Sequence, residues 1–548
     1  MRSVIKFASL LAVALCASVV WANNPGVVQG VVKSAAGQPV AGAYVKLTDA
    51  EKGLTIMVVS QEQGRYTASN LLVGKYTAQA IGGELQSKST PVDVTGSKPA
   101  VADLSLSDQR APELAAGWRG TPGVVGGGEV WSKHPIPDIP DGPGKDIALA
   151  KCGQCHTPSW FMSVRGNRDY WVALIDSMRS NIAANPHATD FTPDEIKTVT
   201  EYFATNFATK PMPDENSRLP RTLVKGDARK YVVVDFKIPR IESEPHEITV
   251  GSDGNGWFGE RGGGRLAKFD LATYTFSEFT PPVPSGGSTR MRIGAITKGR
   301  GDTLWMLDAG PNHRWLQYTI STGAFKTFPV PPDLKGLGGG NTIRQHPDGT
   351  VWVATGGGNG MTRLDPATGK FTLYESPAGI KAGKSVGPYG FAIDPAGSVW
   401  FAENGNNGVG RVDPETGKVD DFPVPIPGSI PRKVGVDTQG NIWVALHETG
   451  QLLKVDYKTA KMTPYMPPSE NPGTYSPCGD LKNGYVWVSL QGVDKLDRFD
   501  PKSETWTEFS VPLPESDIRR IEVDQEHPNR IWWTGTMSDH MGYMEMLN

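Results

Sequence analysis

PYGFAIDPAGSVWFAENGNNGVGRVDPETG, residues 388–417, decides the fold. Apolar bursts end in Asp-Pro-Ala-Gly, Gly-Asn-Asn-Gly and Asp-Pro-Glu-Thr-Gly, so short strands alternate with tight turns and no helical period develops. The pattern recurs along the chain, marked by Trp257, Trp305, Trp352, Trp400, Trp443, Trp487 and Trp532 at spacings of 48, 47, 48, 43, 44 and 45 residues. Turns such as Asp253-Gly254-Asn255, Asp348-Gly349, Gln439-Gly440 and Lys482-Asn483-Gly484 precede the tryptophans. Strands ending near Asp365, Asp413, Asp456 and Asp500 follow, then hairpins such as DPATGKFTLYESP. Four short strands per unit and seven units predict a seven-bladed β-propeller over residues 231–548. The last unit ends after MGYMEML, one strand short, and VVVDFKI at 232–238 matches the blade ending TEFSVP. That segment is therefore expected to close the ring and remove a sheet edge.

Residues 388–417 strongly resemble the propeller of virginiamycin B lyase (streptogramin lyase)-like proteins, and the likeness spans roughly 231–548. The resemblance implies a metal-assisted His/Glu cluster at the propeller mouth that performs ring-opening elimination. Here the positions after the Trp strands read Glu260, Asp308, Gly356, Glu403-Asn404, His447-Glu448, Gln491 and Thr536. Blade five alone offers a His-Glu dyad, so His447 and Glu448 are the candidate catalytic pair and a divalent metal there would have an incomplete donor set. At the entries to the innermost strands stand His246, Arg292, Asn341, Tyr389, Arg432, Tyr475 and Arg519. These are expected to converge on the channel as substrate-binding residues, arginines favouring an anionic or carbonyl-bearing ligand. The alternative is that each satisfies local loop backbone. Cys478 reads as a buried strand residue rather than a nucleophile.

Upstream, Lys151-Cys152-Gly153-Gln154-Cys155-His156 carries C-x-x-C-H, the c-type haem attachment pattern. Cys152 and Cys155, three apart on one helix face, suit two thioether bonds, and adjacent His156 suits the iron. A zinc site would need another nearby ligand, and the next cysteine is Cys478; a thioredoxin-like site would need a βαβ context that is missing. GKDIALAK, at 144–151, reads as the helix presenting the motif, with Ile147 and Ala150 toward the core. Two more helices follow: one with Trp171, Leu174, Ile175, Met178 and Ile182 at helical spacing, another opened by Thr192 as N-cap, Pro193 at N1 and Glu195 at N3. With DYWVALIDSM and TPDEIKTVTEYFATNF after the motif, residues 144–210 resemble a short monohaem cytochrome c. That resemblance implies one covalent haem c, with Met178 as distal iron ligand opposite His156. Met162 and His187 are the alternatives.

Further upstream, GVVKSAAGQPVAGAYVKL and GRYTASNLLVGKYTAQA alternate in bursts bounded by Gly and Pro, predicting a small β-sandwich over 24–107. It resembles the carboxypeptidase regulatory-like (transthyretin-like) module, which implies a spacer or docking unit; carbohydrate binding through exposed aromatics is the alternative. Pro/Gly-rich 108–143 and the segment 211–230 read as linkers. Residues 1–22, with Arg2 and Lys6, an apolar run from Phe7 and Val20-Trp21-Ala22, predict a cleaved signal peptide and a periplasmic or secreted protein. Leu15 before Cys16 argues against lipidation, and no later apolar stretch would span a membrane.

Composition agrees. Of 548 residues, 64 are Gly and 44 Pro, about a fifth, which favours strands and turns over long helices. Hydrophobic residues at 38% and a net charge of −3 exclude a disordered acidic tail, a polytopic membrane protein and a globally basic nucleic-acid binder. The fold class is thus mainly β, with propeller, sandwich and small α-helical cytochrome domain. The main expectation is a periplasmic haem c oxidoreductase or electron-transfer protein whose propeller binds a small-molecule substrate or redox partner, since a tethered cytochrome makes sense if electrons move. The alternative is a streptogramin lyase-like C–O lyase with an accessory cytochrome. No organic redox motif is present, and pyrroloquinoline-quinone propellers have a different tryptophan repeat.

Overall fold

The computed structural model of the protein describes residues 25–114, 139–152, 166–184, 189–208, 214–334, 340–355, 358–383 and 385–547. The expected signal segment 1–22 and most of the expected linker 108–143 lie outside them.

From Pro245 onward the described chain forms six antiparallel sheets of four strands and three strands of a seventh blade. Their innermost strands are Pro245–Val250, Ile293–Lys298, Gly340–Gln345, Pro388–Ile393, Pro431–Val436, Thr474–Gly479 and Ile518–Val523. Each packs beside the next, and the seventh returns to the first, which closes the ring of blades. Blade seven supplies only three strands from the C-terminus. Its fourth is Tyr231–Lys237, paired antiparallel with His540–Met546 from Tyr231↔Met546 to Lys237↔His540. The expected closing strand is found, one residue earlier than read.

The repeat's chemistry explains why the blades stack. All seven repeat tryptophans are at most 2% exposed, seated between neighbouring sheets, where truncation to Ala would cost about 3–5 kcal/mol each. In the Asp-x-x-Gly turn the carboxylate caps backbone N–H groups and also accepts the indole proton: Trp400 Nε1 donates to Asp394 at 2.8 Å and Trp443 Nε1 to Asp437 at 2.9 Å. The turn glycines Gly397 and Gly440 adopt φ of 89° and 85°, left-handed values that a side chain would strain. Blade six lengthens the turn by a residue, so Asp480 stands seven before Trp487, whose indole nitrogen finds no partner.

The N-terminal region forms the expected two-layer sandwich, Gly26–Ser34 and Arg65–Leu71 facing Tyr44–Asp49, Leu54–Val59 and Gly74–Gly82. It is not a separately tethered unit. Leu54–Val59 pairs antiparallel with the closing strand, Val232↔Val58 through Phe236↔Leu54, so sandwich and blade seven share one continuous ten-stranded sheet. Described residues 214–230 pack as a strap over this junction rather than swinging as a linker. Arg218 reaches Asp494 at 3.3 Å, with both side chains buried, and Arg110 donates to the carbonyl of Leu219 at 2.7 Å.

Among the described residues, three helices follow the sandwich in the chain and precede the propeller: α1 (Lys145–Lys151), α2 (Arg168–Ala184) and α3 (Pro193–Asn206). α3 starts as read, Thr192 accepting from Glu195 N at 3.2 Å and Glu195 accepting from Thr192 N at 2.7 Å. Trp171 stacks on Phe203 at 4.5 Å within a core that includes Leu174, Ile175, Val199 and Phe207. In α1 the buried residue is Ala148, and Ala150 is exposed, since the helix turns its 148 face to α3. α2 rests on the propeller: Arg290 Nη1 donates to Asp176 at 2.6 Å, and Tyr170 hydrogen-bonds Glu242. Among the described residues no helix is long and apolar enough to cross a membrane.

Candidate ligand site at the propeller mouth

Every inner strand joins its neighbour with a register shift near its entry, as between Pro388 and Phe391 or between Pro431 and Val434. Such a bulge re-aims a side chain. It brings several of the residues read as substrate-binding together at one end of the ring.

Tyr389 and Tyr475, from blades four and six, share a hydrogen bond between their hydroxyls. The Arg432 guanidinium lies over both rings, 5.3 Å and 5.7 Å from their centroids. Lys433 Nζ stands 5.2 Å from the Tyr389 ring. Arg519 Nε donates to Asp517 at 3.0 Å, leaving its Nη2 buried without a partner, as are Arg432 Nε, Arg292 Nη1 and His246 Nε2. Buried polar atoms left in this state cost about 1–3 kcal/mol each, which suits a site completed by a ligand. Asn341 contributes its carbonyl, which accepts from Lys433 Nζ at 2.7 Å.

The electrostatics follow from this crowding. Burial alone would raise the Tyr389 phenol, but Lys433, Arg432 and Arg519 together outweigh it and hold the group below the usual tyrosine value. Burial pushes Tyr475 up, helped by Tyr389. His246 is driven well below the ordinary histidine range, first by burial and then by Lys433, Arg261, Arg519 and Arg292, so it stays neutral. Burial and neighbouring Arg261 bring Arg292 down to about 9.

The pair read as catalytic is present but committed elsewhere. Gln491 Nε2 donates to Asp517, so Gln491 Oε1 faces His447 Nε2 at 2.9 Å. His447 Nδ1 meets Glu448 at 3.0 Å. Both imidazole nitrogens are thus engaged, and burial holds His447 below its ordinary value despite Glu448. His447 is a brace beneath Tyr475, which its ring meets edge-on at 5.5 Å. The other strand-end carboxylates hold loops: Asp308 accepts from Arg314 at 3.0 Å and Asn312 at 3.1 Å, and Glu260 from Ser243 at 2.9 Å. Gly356 lies outside the described residues.

Among the described residues no three His, Cys, Asp or Glu side chains converge to hold a metal ion. Gln491 and Thr536 occupy the blade-six and blade-seven positions beside the His447-Glu448 dyad, so the donor set does not fit the metal-assisted cluster that the resemblance implied. Of the haem-motif residues, Cys155 and His156 lie outside the described residues, as do the alternative ligands Met162 and His187. Cys152 caps the C-terminal end of α1 and Met178 lies on α2, and both border the same apolar cluster. Cys478 lies on an inner strand, as read, but is half-buried rather than buried, and burial of its thiol raises it to about 11.

Sequence reading missed the floor of this site. Lys433 and Glu247 pair across the ring from blades five and one, their side chains 1% and 0% exposed. Lys433 also donates to Thr342 at 2.8 Å, and Arg344 Nη1 lies 3.5 Å from Glu247. The available signal was a charge on each strand immediately after the entry residue, where the alternating pattern calls for an apolar side chain.

Residues 287–547 match the model of the Virginiamycin B lyase family, and residues 27–107 that of the Carboxypeptidase regulatory-like domain. No curated protein matches the chain. Among solved structures, a streptogramin B lyase aligns at TM-score 0.51 and 20% identity, over 59% of this chain and 100% of that one. Virginiamycin B lyase from Staphylococcus aureus aligns at TM-score 0.50 and 19% identity, over 58% and 100%. A catalytically inactive histidine-to-alanine form of that lyase with quinupristin gives the same values. At such identity the likeness is one of fold. The chain therefore carries a streptogramin lyase-like propeller joined to a carboxypeptidase regulatory-like sandwich.

Proposed function

We propose that the propeller mouth binds a small ester or lactone and opens it by elimination, the class of chemistry of the lyases its propeller resembles. The observation that carries this is the cluster of Tyr389, Tyr475, Arg432 and Arg519, with buried N–H groups of both arginines unpartnered. Tyr389, as phenolate, takes the proton from the carbon α to the carbonyl, and Tyr475 donates to the Tyr389 oxygen. Arg432 and Arg519 stabilise the developing enolate oxyanion. The electron pair then forms a C=C bond and expels the carboxylate oxygen from the β-carbon, so the C–O bond breaks and no water is added. With quinupristin as probe, the expected product is ring-opened at unchanged mass. Tyr389→Phe should slow it about 100-fold or more. A product heavier by one water, or an unchanged rate in Tyr389→Phe, overturns the reading.

A second reading, haem c electron transfer in the periplasm, is favoured by C-x-x-C-H at 152–156. Cys152, Cys155 and His156 would hold the haem, with Met178 as distal ligand; the group supplies one-electron chemistry when bound. α2 touches the propeller through Arg290, two residues from Arg292, which would put that chemistry beside the mouth. Reduced-minus-oxidised spectra test it directly: no c-type α-band removes the haem. Quinupristin turnover unaffected by Cys152→Ala would leave the elimination standing alone.

A further inference from the structure

We propose a second small-molecule site, at the opposite mouth of the ring, that takes a monoanion with an apolar body. A cavity of about 540 Å³ opens where the inner strands of blades three to seven end, lined among others by Arg344, Phe391, Pro477, Cys478, Leu481 and Arg520. These are strand exits, whereas Tyr389 and Arg432 stand at strand entries, and the Glu247–Lys433 pair crosses the ring between the two ends.

Two guanidiniums, of Arg344 and Arg520, line the floor. Lys433 and Arg344 both lean on Glu247, and Arg520 pairs with Glu522. Arg520 is 6% exposed, and its Nε, buried, has no partner. The two other carboxylates on the cavity wall are spent on their own turns. Asp394 accepts from Ala396 N, Ser398 N and the Trp400 indole, and Asp437 accepts from Gln439 N, Asn441 N and the Trp443 indole. The buried Arg520 Nε is the donor that the floor leaves without an acceptor, and an anionic oxygen group would complete it. Burial and the charge of Arg520 hold Arg344 below the usual guanidinium range, a repulsion that an anion between the two would relieve. Above the floor the wall is Phe391, Pro477, Pro395 and Pro347, and the rim carries Leu481, 50% exposed, so the body of the ligand is apolar.

The test uses two probes on the full-length protein, 8-anilinonaphthalene-1-sulfonate and its neutral analogue N-phenyl-1-naphthylamine, read by fluorescence titration. The sulfonate should bind at one saturable site, and Arg344→Gln should weaken it about tenfold while leaving the neutral probe unchanged. Leu481→Asp, at an exposed position that folding does not depend on, should weaken the sulfonate at least about threefold and carries the test if Arg344→Gln does not fold. Arg432→Gln, at the first mouth, should leave it unchanged. Non-saturating adsorption only, sulfonate affinity indifferent to Leu481→Asp, or affinity that follows Arg432→Gln instead, overturns the proposal.

Discussion

Replacing Lys433 by Met should be among the most damaging single changes in the propeller. The ammonium is 1% exposed and meets Glu247, Thr342 Oγ1 and the carbonyl of Asn341. Without it, Glu247 keeps a buried carboxylate whose nearest cation is Arg344 at 3.5 Å, and two further acceptors lose their donor. An orphaned buried charge of this kind costs about 3–5 kcal/mol. Glu247→Gln should cost less, about 1–3 kcal/mol, because Lys433 keeps two hydrogen bonds and burial already favours its neutral form. Removing both charges, Glu247→Leu with Lys433→Met, should recover most of the loss, since a buried pair barely exceeds its own desolvation. The assay is urea unfolding of all four proteins, followed by tryptophan emission, to which the seven buried repeat indoles contribute. A Lys433→Met loss under about 1 kcal/mol, or a double variant no better than Lys433→Met alone, would refute the reasoning that the pair is held by mutual compensation.

Three further outcomes are expected. Val234→Pro strikes the closing strand where Val234 faces Ile56 on one side and Tyr543 on the other; it should cost about 3 kcal/mol or more and loosen sandwich and ring together, seen as new proteolytic cuts in both. Glu403 is pushed up to about 8, first by burial and then by Asp421. Its folded value exceeds its unfolded one, so the native state holds the proton longer and stability falls as pH rises from about 4.5 to about 8. Glu403→Gln should flatten that decline by up to a few kcal/mol in urea midpoints at pH 8 against pH 5. On the haem c reading proposed above, Met178→Ala should shift the spectrum and potential of the haem; an unchanged spectrum hands the distal role to another side chain.

Much of the fold was legible because its signals are local. The Asp-x-x-Gly-x-x-Trp turn encodes its own cap and its own buried indole, and the capping box at Thr192 is complete within four residues. The closing strand could be found by its likeness to other blade endings, since the ladder it completes has a fixed register. The mouth was legible in part, because equivalent positions in a repeat must converge on the axis.

Less could be read of what each residue does there. His447 read as a base by sequence, which could not show that Gln491, held in turn by Asp517, meets its second nitrogen. Glu247 and Lys433 lie 186 residues apart and meet only because the ring closes. The sandwich edge at Leu54–Val59 carries no mark that its partner is Tyr231–Lys237.

Sequence alone determined the seven-fold repeat, its turns and the helix start at Thr192, because period, turn chemistry and caps are written within a few residues of where they act. Tertiary structure alone decided which charges compensate one another, which imidazole nitrogens stay available and which sheet edges fuse. Those depend on through-space distances between segments far apart in the chain, and the energy of a buried charge or an open strand edge is set by its partner rather than by its neighbours in sequence.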